Sequence, residues 1–254
     1  SAGYRYAMQE QGSPAEFLRA YWDLGGPAWV VSTACSSSAR AFIAAKRLLE
    51  QNICDAVITG GVDTLCKLTL NGFSALESVS SQRCDPFSAK RDGITIGEGT
   101  GIFLLSKTPD LSGCSMGTFC GGGISMDAHH MSAPEPSGKG ATLAMQKALR
   151  DAALTATDIS YVNLHGTATR QNDAMEAAAM TQVFPHGVAC SSTKSMTGHA
   201  LGAASAIEAV ICLLTLDANN ADALLPPHIW SGTVDPSLPP LAFTGIGQTL
   251  ESPA

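Results

Sequence analysis

Short apolar runs of β type alternate with amphipathic runs of helix type along most of this chain, and that alternation constrains the fold more than any other feature. It is the pattern of an α/β protein with largely parallel strand pairing. Trp29-Val30-Val31 reads as a short strand, followed by a helix over Ser36 to Glu50 in which Ala39, Phe42, Ile43 and Leu49 recur at helical spacing. Ala56 to Thr59 reads as a second strand that ends at Gly60-Gly61. Ile94 to Ile96 and Gly101 to Ser106 read as a hairpin turning on Gly97-Glu98-Gly99. Further along, a helix is expected over Gly138 to Leu154, a strand over Ile159 to Leu164, a helix over Asp173 to Val183 and a strand over Val188 to Cys190. Ala200 to Leu216 reads as a buried apolar helix, and the stretch from Pro226-Pro227 to Pro239-Pro240 as mostly loop.

The 254 residues, 45% hydrophobic and 15% charged, suffice for one large domain or two modest ones with a real core. A formal charge of -7 and a pI near 5.3 exclude the cationic footprint that nucleic acid or an anionic membrane surface requires. Small molecules or proteins are the expected partners. The apolar stretch Leu201 to Leu216 is broken by Ser205, Glu208 and Thr215 and is short for a bilayer, so no membrane span is expected. The chain opens at Ser1 without a basic segment leading into an apolar one, so no retained signal peptide is expected. None of the eight cysteines forms a C-x-x-C pair, which removes the zinc-ribbon and thioredoxin patterns and suits a reducing compartment, the cytoplasm. His129-His130 lacks ligand spacing and Gly121-Gly122-Gly123 lacks a P-loop lysine, so neither a metal nor a nucleotide is expected.

Three clusters can carry chemistry. Cys35 falls between a strand and a helix, where a sharp turn exposes a side chain and the helix N-terminus favours a thiolate. Read alone, it is equally a small buried hydrophobe. His165 follows a strand in His-Gly-Thr-Ala-Thr, with Thr167 and Thr169 offering hydroxyls to an amide-bearing substrate arm; a structural capping role is the alternative. Lys194 and His199 sit in a polar, glycine-bearing loop that feeds the apolar helix, a setting that suits a neutral imidazole acting as hydrogen-bond donor; a solvated loop lysine and a helix-cap histidine are the alternative. Asp173 and Glu176 share one helical face, and either could orient a cation such as Lys194 or simply complement the helix dipole.

Taken in order, Thr33-Ala34-Cys35-Ser36-Ser37-Ser38, His165-Gly166-Thr167-Ala168-Thr169 and Lys194-Ser195-Met196-Thr197-Gly198-His199 resemble the three signatures of β-ketoacyl-acyl-carrier-protein synthases of the thiolase superfamily. Ile58 to Asp63, Arg91-Asp92-Gly93 with Gly97-Glu98-Gly99, and Asp127 to Met131 are similar to supporting stretches of that family, so the resemblance runs from about Trp29 to about Pro227. It implies a layered α-β-α-β-α thiolase-like architecture, with residues 1–109 belonging to an N-terminal half that carries the nucleophile and 110–254 to a C-terminal half that carries both histidines. It implies an elongating enzyme that performs decarboxylative Claisen condensation of an acyl-thioester with malonyl-acyl-carrier protein. Cys35 is then the acyl-bearing nucleophile, His165 and His199 the decarboxylating pair, Lys194 the active-site lysine, Asp173 and Glu176 acidic positions near it, and Thr167 and Thr169 contacts to phosphopantetheine. The resemblance implies no cofactor beyond that carrier-borne arm, an acyl carrier protein as partner, and a homodimer. Pro226-Pro227-His228-Ile229-Trp230 resembles synthases of aryl-polyene or related pathways. Only 34 residues precede Cys35, and no Gly-Phe-Gly-Gly loop occurs before Ala254, where the family has longer segments. A catalytically silent subunit dimerising with a complete synthase, and a non-decarboxylating thiolase-like acyltransferase, are the competing expectations. If Cys35 is a working thiolate, iodoacetamide should modify it faster than the other seven cysteines.

Overall fold

The computed structural model describes residues 3, 5–8, 10–108 and 115–250. The expected division between halves at 109/110 therefore lies outside the described residues. Helix α1 (Ser13–Tyr21) precedes α2 (Ser37–Glu50), strand β1 (Ala56–Asp63), α3 (Lys67–Ala75) and β2 (Gly99–Ser106). The later part contains α4 (Lys139–Asp151), β3 (Tyr161–Asn163), α5 (Arg170–Val183), β4 (Ala189–Ser191), the short α6 (Lys194–Thr197), α7 (Ala204–Thr215) and β5 (Ala242–Phe243). The architecture is α/β and thiolase-like, with helices packed on two separate sheets.

The first sheet pairs β1 with β2 antiparallel, from Ala56 opposite Ser106 to Asp63 opposite Gly99. The expected strand thus continues through Gly60-Gly61 instead of ending there. Glycine is required at both positions: a Cβ on Gly60 would lie 2.0 Å from the carbonyl oxygen of Gly101, and one on Gly61 would lie 2.9 Å from Cα of Ala203. Helix α2 lies on β1 through a stripe of buried residues, Ser38, Phe42, Ala45 and Leu49, at the spacing of one helical face. The second sheet is parallel, in the order β3-β4-β5. Its core joins Leu164 and Cys190 to Ala177, Met180 and Val183 of α5, with Phe87 and Phe184. Among the strands of the described residues, parallel pairing is confined to this sheet.

Three sequence expectations give way. Trp29 to Val31 forms no strand, because a cleft of about 860 Å³ separates this segment from β1 and leaves Trp29 48% exposed. That cleft touches none of Cys35, His165 and His199. The expected 94–106 hairpin is absent: Ile94 bridges to Val79 and Ile96 to His199, while β2 pairs with β1. Gly97 explains the choice, since a Cβ there would sit 2.4 Å from the carbonyl oxygen of Thr197, and its bare backbone lies against the histidine loop. The apolar helix opens as a 3₁₀ turn, Leu201–Ala203, before α7. It packs on β1, β2 and α2, and it is fully buried mainly in its first turn, with Leu214 and Leu216 half exposed where those neighbours end.

Candidate active site

Cys35 is delivered by a tight turn that the sequence builds from small polar residues. Ala34 has φ +53°, a left-handed conformation that costs a non-glycine residue about 1 kcal/mol and survives where its surroundings impose it. Here the restraints are short: Ser36 Oγ donates to the Thr33 carbonyl at 2.8 Å, Ser37 Oγ donates to the Ala34 carbonyl at 2.6 Å and accepts from Thr33 N–H at 2.9 Å. Ser38 Oγ accepts the N–H of Ala206 at 3.1 Å, which ties the start of α2 to the start of α7.

His199 is held from its backbone. Its N–H donates to the Thr95 carbonyl at 2.7 Å, and its carbonyl accepts the Gly97 N–H at 3.1 Å. The ring is buried, with Nε2 3.0 Å from Cys35 Sγ, while Nδ1 has no hydrogen-bond partner among the described residues. His165 follows β3 and stands edge-on to His199, with ring centroids 5.2 Å apart at 85°. One donor atom from each of Cys35, His165 and His199 falls in a cluster no wider than 4.8 Å. The structure thus brings together the three residues that the sequence placed 130 and 34 positions apart.

The two acids expected near Lys194 do other work. Glu176 accepts the N–H groups of His165 and Gly166 at 2.6 and 2.7 Å, fixing the backbone that aims His165. Asp173 accepts the Phe87 N–H at 2.7 Å and lies 3.8 Å from Arg91 Nε. Lys194 is paired instead with Glu208 of α7, so the expectation that Asp173 or Glu176 orients the lysine is replaced by a third acid. Sequence reading met Glu208 only as an interruption of an apolar run, yet a lone carboxylate in such a run needs a buried partner, and that was the available signal. Thr167 and Thr169 share a hydroxyl contact of 3.0 Å beside His165.

A further histidine supports this ground without touching the cluster. His228 Nδ1 accepts the Ser192 N–H at 3.1 Å and Nε2–H donates to the Pro86 carbonyl at 3.2 Å, which fixes a neutral tautomer. Its ring stacks on Phe243 at 4.2 Å. Ser192 Oγ in turn donates to the Gly166 carbonyl at 2.7 Å, so His228 buttresses the loops that bear His165 and Lys194.

Burial governs the electrostatics. It lowers the pKa of His199 to about 3 and that of His165 well below its usual value, and the Lys194 charge lowers both further. Both imidazoles are neutral at physiological pH. Burial also pushes the Cys35 thiol above its ordinary 9.0, outweighing the lowering effect of Lys194 and of its own backbone N–H. The position at a helix start favours a thiolate, but burial works the other way and favours the proton on sulfur, because an imidazole lowered to about 3 is too weak a base to take it. Burial raises Glu176 to about 7 against the two N–H bonds it accepts, and raises Glu208 against its lysine. His228 is lowered to about 4, again chiefly by burial.

A half-buried thiol, two imidazoles and a buried lysine-carboxylate pair thus meet in one place on a thiolase-like fold. The chain matches "Beta-ketoacyl synthase, N-terminal domain" over residues 14–111 and "Beta-ketoacyl synthase, C-terminal domain" over residues 116–229. It belongs to the beta-ketoacyl synthase family. It is 38% identical over 220 residues to a 3-oxoacyl-[acyl-carrier-protein] synthase 2 from Rhizobium meliloti (strain 1021), an alignment covering 81% of this chain and 51% of that protein. The chain spans about half the length of the curated relatives it matches. Among solved structures it is similar to the ketosynthase ApeO in complex with its chain length factor ApeC from Xenorhabdus doucetiae, at TM-score 0.91 and 44% identity, covering all of this chain and 63% of that one. It is also similar to the AntDE:AntF complex, a type II polyketide synthase acyl-carrier protein with its ketosynthase, at TM-score 0.86 and 29% identity, covering 95% and 61%.

Proposed function

We propose that this chain forms the condensing centre of a 3-oxoacyl-acyl-carrier-protein synthase, joining an acyl-thioester to malonyl-acyl-carrier protein in fatty-acid or polyketide-like chain building. The observation that carries the reading is the convergence of half-buried Cys35 and His165 with buried His199 within 4.8 Å. In the first step Cys35 Sγ attacks the acyl thioester, the C–S bond to the carrier breaks, and the thiol proton passes by way of His199 Nε2 to the departing pantetheine sulfur. A resting thiol suits this exchange, since the proton moves only as the new S–C bond forms. In the second step malonyl-thioester loses carbon dioxide, and N–H donors of His165 and His199 stabilise the enolate oxygen. The enolate carbon then attacks the acyl-Cys35 carbonyl, and collapse of that adduct breaks the C–S bond to Cys35, whose sulfur takes up a proton from solvent.

In this reading Lys194, set by Glu208, keeps the imidazoles neutral, and Glu176 and Asp173 hold the backbone around His165 and Phe87. Thr167 and Thr169 contact the phosphopantetheine arm that brings substrate, and no resident cofactor takes part. Residues 1–109 and 110–254 act as the nucleophile-bearing and histidine-bearing halves. The carrier-protein complex of the polyketide relative supports an acyl carrier protein as partner, and the relative paired with a chain length factor supports docking to a second chain of the same fold, a homodimer being its symmetric form. All seven described cysteines are free, and no helix of the described residues is long and apolar enough to cross a membrane, which suits a cytoplasmic setting. The test is incubation with acyl-acyl-carrier protein, followed by intact and peptide mass spectrometry and then by carbon dioxide release from malonyl-acyl-carrier protein. An acyl adduct confined to Cys35 and malonyl-dependent release are expected; a folded chain that takes no acyl group would refute the reading.

A further inference from the structure

Spacing along the chain gave no reason to expect a metal, but the folded chain assembles a donor set that the sequence keeps apart. We infer that Cys35, His165 and His199 also form a capture site for a borderline-soft divalent cation of the zinc class, one ion bound through Cys35 Sγ and one nitrogen of each imidazole. The three donor atoms already lie within 4.8 Å of one another. Zinc bonds of about 2.3 Å to sulfur and about 2.0 Å to imidazole set tetrahedral ligand separations of about 3.3–3.6 Å, within side-chain shifts of about 1 Å from these positions. Cys35 Sγ and His199 Nε2, at 3.0 Å, need to part only slightly to admit an ion between them.

The chemistry of the donors selects the ion. One sulfur and two imidazole nitrogens suit zinc or cobalt and offer nothing to magnesium or calcium, which take oxygen ligands. His199 Nδ1 makes no hydrogen bond among the described residues, so no protein partner fixes the tautomer that would close Nε2 to a metal. The charged groups acting on the sulfur are Lys194, Glu208 and Asp63, one cation against two carboxyls, and Lys194 is itself paired with Glu208. Binding breaks the S–H bond, forms a sulfur–metal bond and releases the proton to solvent, while each imidazole lends an existing lone pair and water takes the fourth position. No oxidation or reduction occurs. A sulfur so occupied cannot attack a thioester, so the site is a reversible off-state for the nucleophile. The inference uses the same residues as the condensation reading but none of its substrates.

Anaerobic cobalt(II) titration of the reduced chain, followed by absorbance, tests it directly. A thiolate-to-cobalt charge-transfer band and the visible bands of a four-coordinate ion are expected to saturate at one ion per chain, to vanish in Cys35→Ser, and to need about tenfold more cobalt or beyond in His199→Ala. In the unsubstituted chain, zinc is expected to slow iodoacetamide modification of Cys35 about tenfold or more, with magnesium inert, Cys66 unaffected and the effect reversed by a chelator. Unchanged bands in a folded Cys35→Ser chain, or zinc that leaves the Cys35 rate unaltered, would overturn the inference. If Cys35→Ser does not fold, the protection measurement decides alone. Neither readout involves an acyl group, so a chain that captures zinc but takes no acyl adduct would break the condensation reading and leave this one standing.

Discussion

The resting protonation of Cys35 can be measured through its alkylation rate. Burial raises the thiol above 9.0, and the imidazole 3.0 Å away has a pKa of about 3, so a thiolate-imidazolium pair is disfavoured from both sides. At pH 7 the thiolate fraction of a group above 9 is below about 1%, and it grows about tenfold per pH unit. Site-resolved mass spectrometry of iodoacetamide adducts between pH 6 and pH 9 should therefore show the Cys35 rate climbing about tenfold per unit with no plateau. Cys66 supplies the internal standard: it is exposed, and its hydrogen bonds to Thr69 lower its pKa. It should react first at neutral pH, contrary to the sequence expectation that Cys35 leads the eight cysteines. Lys194→Met should slow Cys35 further, since the lysine charge lowers its pKa. A Cys35 rate that is flat between pH 6 and 8, or that exceeds the Cys66 rate at pH 7, would mean a standing ion pair, and the argument from burial would fail.

Other perturbations reach the supporting residues. Lys194→Met strands Glu208 in a site where the lysine is 1% exposed, and should cost about 3 kcal/mol or more in urea denaturation, with part of the loss recovered in the Lys194→Met, Glu208→Leu double variant. Gly166→Ala places a Cβ 2.5 Å from that of Ser192 at φ +35°, and should cost about 1–3 kcal/mol while greatly slowing acylation of Cys35, because Glu176 can no longer hold both N–H groups. His228 is lowered to about 4, so below pH 6.5 the unfolded chain binds a proton there that the folded chain does not, and stability falls with acid until about pH 4. The difference in denaturation free energy between the parent chain and His228→Asn should accordingly change by about 3 kcal/mol across that window, and a constant difference would contradict the assignment.

Much of the fold was legible because local pattern and tertiary role agree. Helix α2 declares itself through Phe42, Ile43 and Leu49, all of which are buried, and the helix expected over Asp173 to Val183 is α5, which buries Ala177, Met180 and Val183. The failures share a cause in long-range pairing. Ile94 to Ile96 has the composition of a hairpin arm, but its bridge partners are Val79, 15 residues before Ile94, and His199, 103 residues after Ile96, and neither pairing has a local signal. Trp29 to Val31 has strand composition, but a cleft lies between it and β1 and it pairs with no strand among the described residues. At the site, residue types were readable and partners were not: His165 and His199 could be named, while the acid that holds Lys194 had to await the placement of α7 against the loop.

The reversal at Cys35 shows why position on an element is a weaker guide than depth. A helix N-terminus and a nearby lysine both favour a thiolate, and either alone would justify the expectation. Desolvation acts on the same sulfur with the opposite sign and prevails, as it does on Glu176 and Glu208, while on His165 and His199 it acts in the same direction as the lysine. The result is a site whose thiol and two imidazoles are neutral at rest beside a paired lysine and carboxyl. Such a site has little of its own field to overcome when an enolate forms, and its donors remain neutral and correctly aimed for that charge. It also leaves a thiol and two imidazoles free to accept a cation, so the feature that suits the chamber to anionic chemistry is the one that exposes it to capture by zinc.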